Sequence, residues 1–167
     1  MKILQVINSL NTGGAEKLLL ETIPSYNKKG ITVDILLLNG TEYPFVTELK
    51  NKNCCTIYSL DEGSVYNPFL IFKIIPYLKK YNIVHVHLFP ALYWVALAKL
   101  ISFSLIKIVY TEHSTNNKRR SSILFKRIDR FFYKPYKKLI TIAEEVDFNL
   151  KKHLGNSHSK YCLINNG

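Results

Sequence analysis

Cysteine is too sparse in this 167-residue sequence to build on: there are three, and two of them, Cys54 and Cys55, are adjacent. Neighbouring cysteines cannot close a useful loop and Cys162 would be left over, so a disulfide framework is excluded and reduced thiols in a reducing compartment are expected. Nor is a secretory leader expected. The opening M-K-I-L-Q-V-I-N holds one lysine and an apolar run that stops at Asn8, too short for a signal peptide. Nor is there an uninterrupted membrane span. Residues 88–110 come nearest, but Pro90, Lys99, Lys107 and two serines break them up, and a buried helix followed by a buried strand explains them better. The expected location is the cytoplasm. Glycine-rich nucleotide fingerprints are absent too: neither G-x-G-x-x-G nor a Walker pattern occurs.

Acidic residues are few, 12 against 23 Lys and Arg, for a net charge of +11. The imbalance is local. Residues 118–138 hold nine Lys or Arg and a single acid, Asp129, and so carry eight of the eleven net charges. No RNP, helix-turn-helix or zinc-finger pattern accompanies them, so nucleic acid is not an expected partner. What is present is a globular composition, 47% apolar and 13% aromatic, in a chain long enough for one sizeable core.

That core reads as alternating strands and helices. Continuously apolar strands are expected at 2–7, 32–38, 54–60, 83–88, 107–111, 139–143 and 161–164. Helices are expected at 14–29 with Pro24 inside, at 44–52, from Pro68 through Leu78, and at 91–101, 122–133 and 144–154. Gly30 supplies the stop of the first helix. Strands of this kind, alternating with helices, imply an α/β fold with a doubly wound, mainly parallel, Rossmann-like sheet covered on both faces. Ligands in such sheets bind at the carboxyl ends of the strands. That rule gathers the turn after the first strand, His87 at the end of the fourth and His113 at the end of the fifth.

The turn S-L-N-T-G-G-A-E-K (9–17) joins the first strand to the first helix. Gly13 and Gly14 let backbone approach an anion without a Cβ in the way, and the free N–H groups of the first helical turn favour negative charge. Thr12 or Asn11 is the expected N-cap. A βα turn that uses glycine for geometry alone accounts for the same residues.

His85 and His87 lie two apart on a strand and share one face. With His113 they make a three-histidine set of the zinc-hydrolase kind. Core histidines explain them as well, no carboxylate is placed as a fourth ligand, and no metal is expected. His113, in Y-T-E-H-S, sits where a neutral imidazole meets a sugar hydroxyl or phosphate; a surface histidine without a role is the alternative. The basic stretch interleaves Lys126, Arg127 and Arg130 with Leu124, Ile128 and Phe131 or Phe132 at helical spacing. Together with Lys118, Arg119 and Arg120 it fits a helix lying on an anionic membrane surface. An amphipathic helix packing on the sheet with solvated cations fits it equally.

Several motifs, taken in order, resemble the N-terminal domain of a GT-B glycosyltransferase of family 4. They are the K-I-L-x-V-I strand followed by Gly13 to Glu16, N-I-V-H-V-H from Asn82 to His87, the strand ending Thr111 to His113, and the closing L-I-N-N-G from Leu163 to Gly167. The chain departs from the family pattern at Asn82, usually Asp, at Asn165, usually Pro, and at Ala143, usually Ser. The resemblance implies an enzyme in cell-surface polysaccharide synthesis that is retaining and needs neither metal nor cofactor. It would use a nucleotide-sugar donor and a glycan or lipid-linked acceptor at the inner face of the membrane. It implies that Gly13 and Gly14 approach the donor diphosphate with Glu16 beside them, and that His113 is the catalytic contact to the transferred sugar, with His87 and Thr111 in the cleft. It also implies that residues 1–167 are one domain ending at an interdomain linker, with the donor-binding domain outside this chain and the piece inactive alone. A non-catalytic α/β module that binds anions or a partner is the competing reading.

Overall fold

The computed structural model describes residues 1–115, 122–155 and 160–165. Seven strands, β1 (Lys2–Ile7), β2 (Thr32–Asn39), β3 (Ile57–Asp61), β4 (Ile83–His87), β5 (Lys107–Glu112), β6 (Lys138–Thr141) and β7 (Tyr161–Leu163), form one parallel sheet in the order β3-β2-β1-β4-β5-β6-β7. The order reverses between β1 and β4. A doubly wound sheet opens its crevice at that switch point, at the carboxyl ends of the two strands.

Six helices cover the sheet: α1 (Gly14–Lys28), α2 (Pro44–Lys52), α3 (Leu70–Leu78), α4 (Ala91–Ile101), α5 (Ile123–Tyr133) and α6 (Glu144–Leu154). Strand side chains alternate between faces, so each strand feeds two cores. Leu4, Val6, Val84, Val86, Ile108 and Tyr110 point to the layer of α3, α4, α5 and α6. Ile7, Val33, Ile35 and Leu37 point to α1 and α2. Each fully buried Leu or Ile contributes roughly 2 kcal/mol. Residues 88–110 are the loop after β4, α4, the turn that follows it and most of β5, and among the described residues no helix is long and apolar enough to cross a membrane.

Local chemistry moved several boundaries. The third strand starts at Ile57 rather than at 54, because Asn53 ends α2 in the left-handed region at φ 43° and the Thr56 N–H is taken by Asp34 Oδ1 at 2.8 Å. Pro68 and Phe69 stay outside α3, the Phe69 N–H donating 3.0 Å to Asn67 Oδ1. β5 runs on to Glu112, which pairs with Thr141, and β6 stops there. Pro24 sits inside α1 without ending it; its ring removes the partner of the Leu20 carbonyl, which accepts Lys52 Nζ at 3.4 Å instead.

Neither Thr12 nor Asn11 caps α1. Asn11 Oδ1 accepts the Thr12 N–H at 2.8 Å, and the N-cap is Gly13 with no side-chain bond. The apolar stripe of α5 divides: Ile128 and Phe132 pack against the core. Leu124 and Phe131 are 65% and 56% exposed, whereas the buried members are Tyr133 and the lone acid Asp129. Asp129 accepts from Tyr93 Oη on α4 and lies 2.8 Å from His153 Nε2 on α6, so one buried carboxylate ties three helices together. Phe132 stacks on Tyr93 at 3.9 Å between ring centroids, which seats α5 against α4.

Candidate functional site

The sheet face that carries α1 and α2 is polar at its centre. In register, Gln5 on β1 faces His85 on β4, and His87 faces Thr111 on β5. His87, 1% exposed, lies 2.9 Å from Gln5 Oε1 through Nε2 and 3.0 Å from His113 Nε2 through Nδ1. His85 Nε2 lies 2.7 Å from Thr111 Oγ1. Burial first, and the neighbouring imidazoles second, hold His85 at about 4 and His87 well below the usual histidine range; burial holds His113 at about 4. All three are neutral near pH 7.

Neutrality and the hydrogen bonds then assign protons. An amide oxygen only accepts, so His87 carries its proton on Nε2, and its bare Nδ1 accepts from Nε2–H of His113. His113 is left with an unprotonated Nδ1. Gln5 therefore fixes, through His87, which nitrogen of His113 carries the proton. In this arrangement His87 has both ring nitrogens engaged, and among the described residues no group of three His, Cys, Asp or Glu is arranged to hold a metal. Beneath this row a cavity of about 280 Å³ is lined by Gln5, His85, His87 and Thr111 from the sheet and by Thr22 and Tyr26 from α1.

The crevice at the switch point is bridged by Asn8. Its Nδ2 donates 2.7 Å to the Phe89 carbonyl and its Oδ1 accepts the Ala91 N–H at 3.3 Å, joining the loop after β1 to the one after β4. That second loop holds Leu88 at φ 64° and a cis Phe89–Pro90 bond. The glycine turn follows β1 and His113 follows β5, with only β4 between the two strands. The two loops thus leave the same end of two strands that flank β4 in the centre of the sheet.

Within the turn the two glycines differ. A Cβ on Gly13 would stand 2.3 Å from Oε2 of Glu16, while one on Gly14 would meet nothing within 4 Å. The half-buried Glu16 carboxyl folds back over the helix start, and burial raises its pKa. Its carboxyl is the group that a Cβ on Gly13 would meet, and Gly14 leaves open space.

Gln5 and Asn8 are the residues that sequence reading passed over. Each is a polar side chain in or beside a strand that must be apolar to be buried, and that contradiction was the available signal. His87 and Thr111 are buried in the sheet, His87 linking Gln5 to His113. Lys126, Arg127 and Arg130 lie on α5; Lys118, Arg119 and Arg120 lie outside the described residues. The three cysteines are free, and burial, then Cys54, pushes the Cys55 thiol up to about 12.

A doubly wound sheet with its switch point at β1/β4 and a polar carboxyl end defines a Rossmann-like α/β domain, one that matches the N-terminal half of GT-B glycosyltransferases. The sequence matches Glycosyltransferase Family 4 over residues 12–167, and the chain belongs to that family. Among solved structures it is similar to Anabaena HepE in complex with UDP and glucose, with a TM-score of 0.79 and 19% identity, covering 100% of this chain and 45% of that one. A glycosyltransferase from Rickettsia africae gives a TM-score of 0.74 and 24% identity, covering 99% of this chain and 43% of the other. The lipopolysaccharide outer core galactosyltransferase WaaB gives 0.70 and 12%, covering 99% and 46%. The chain therefore spans less than half the length of these structures. No curated protein matches it in sequence.

Proposed function

We propose that this chain is the acceptor-side half of a retaining glycosyltransferase that moves a sugar from a nucleotide-sugar donor to a glycan or lipid-linked acceptor in cell-surface polysaccharide synthesis. One observation carries the reading: membership of family 4 over residues 12–167 coincides with a neutral His113, tautomer-locked through His87 and Gln5, at the carboxyl end beside the switch point. The HepE structures hold UDP, UDP-glucose, or UDP and glucose, which supports a nucleotide-sugar donor here. His113 presents a bare Nδ1 to a hydroxyl of the transferred sugar, and the open ground at Gly14 admits a phosphate once Glu16 has swung aside. No metal or cofactor takes part in the proposed reaction, and the 167 residues alone are inactive because the donor-holding wall lies outside them.

The site test uses the full-length protein with candidate nucleotide-sugars. His113→Ala lowers kcat/KM by about 100-fold; unchanged transfer by that variant, or transfer by the 167 residues alone, overturns the assignment.

The same proposal sets the protein at the inner face of the membrane. Ile123, Leu124 and Phe131 are 77%, 65% and 56% exposed on α5, the helix that also carries Lys126, Arg127 and Arg130. Apolar side chains among cations suit a surface of anionic lipid. Co-sedimentation should need anionic lipid and weaken with salt; equal binding to neutral vesicles removes the electrostatic part.

A further inference from the structure

At the amino end of the sheet, away from the histidines, a concavity of about 290 Å³ lies between the last turns of α5 and α6 and the start of β7. Tyr133, Leu139 and Leu154 are among its walls, and Arg130, Lys134 and Lys160 supply its cations, with no carboxylate in the lining. Two of these cations close helix ends: Arg130 Nε donates 3.0 Å to the Leu154 carbonyl, and Lys160 Nζ donates 2.9 Å to the Lys134 carbonyl. Capping alone leaves most of their donors unused. Lys134 Nζ has no bond or ion pair among the described residues.

The charges do not cancel. Each helix end brings about half a negative charge, against three full positive ones. Burial, followed by Lys134 and Lys137, lowers the Lys160 pKa, which is the response of a cation among cations without an acid. The nearest acid on α6, Asp147, is paired with Lys151. A cup holding unneutralised guanidinium and ammonium groups, half dry and walled by rings, suits a compact multivalent oxyanion.

We propose that this concavity, bounded by Arg130, Lys134 and Lys160, is a phosphate-binding site, filled either by free phosphate or a phosphorylated solute, or by the phosphomonoester headgroup of a lipid. The site lies at the opposite end of the strands from the cleft and does not depend on the transferase reading.

The test is titration of the 167-residue chain with inorganic phosphate, followed by backbone-amide NMR at Gly155, Lys160 and Tyr161. In parallel, the chain is floated with vesicles containing phosphatidic acid or phosphatidylglycerol. Saturable phosphate shifts identify the soluble source; a preference for phosphatidic acid without such shifts identifies the headgroup. In either arm Lys134→Met, an exposed change that breaks no bond, weakens binding about tenfold, as does Lys160→Met. Lys28→Met, which removes the same charge from α1, leaves binding unchanged. Absence of both signals, or an equal loss from Lys28→Met, overturns the proposal.

Discussion

The two ends of this sheet treat ionisable groups in opposite ways. At the carboxyl end His87 is buried and His85 and His113 are half-buried; His87 is hydrogen-bonded to His113 and Gln5, His85 to Thr111, and all three carry no charge. At the amino end Arg130, Lys134 and Lys160 surround a partly open cup with no carboxylate in its lining. Desolvation explains the difference. An imidazole with a pKa near 6.5 is cheaply neutralised by burial, whereas a guanidinium stays charged and must keep contact with water. One end is thus poised for directed hydrogen bonding and the other for attraction of anions.

The largest effect that breaks the comparison is Asp129→Ala. It leaves buried His153 and Tyr93 without their shared acceptor and unfastens α5, the helix that brings Arg130 to the cup. Urea unfolding should report a loss of about 4 kcal/mol, and Asp129→Asn a smaller one. Acidification comes next and acts on the histidines of the carboxyl end. His85 and His113 titrate at about 4 in the fold and near 6.5 when unfolded. The unfolded chain therefore binds more protons between those values. Stability is full above pH 6.5 and declines as pH falls toward 4, by on the order of 3 kcal/mol for each of the two histidines; a flat denaturation midpoint across that window would remove the buried-neutral assignment.

Gln5→Leu tests the relay. It strands the His87 Nε2–H in the core at a cost of about 1.5 kcal/mol, and the nitrogen shifts of His113 should reveal a mixture of tautomers where the parent has one. The smallest effect separates the two glycines. Gly14→Ala meets open space and should stabilise α1 by a few tenths of a kcal/mol. Gly13→Ala replaces a favourable N-cap residue and should destabilise α1 slightly in thermal melts, the flexible end of Glu16 swinging aside at little cost.

How much was legible follows from what each signal measures. Hydrophobic period and turn residues located every strand and helix, because burial on both faces of a parallel sheet demands continuous apolar runs. The boundaries missed at Ile57, Leu70 and Thr141 depend on single bonds from Asp34 and Asn67 and on the Glu112–Thr141 pairing, which periodicity does not see. His113 was legible as a residue just past a strand. Its tautomer was not, since that is set by Gln5, 108 positions earlier in the chain. The α5 segment was legible in part for a related reason: apolar spacing placed Ile128 and Phe132 against the core, but it did not show that partners on α4 and α6 draw Asp129 inside while Leu124 and Phe131 stay in solvent.

By itself the sequence determined the layer order of the molecule, its motif series and its concentration of positive charge, all properties of local pattern and composition. Only the tertiary structure decided which charges survive. A proton's residence on an imidazole and a cation's freedom from an acid depend on distances between residues far apart in the chain, and those distances exist only once strands from both halves lie side by side.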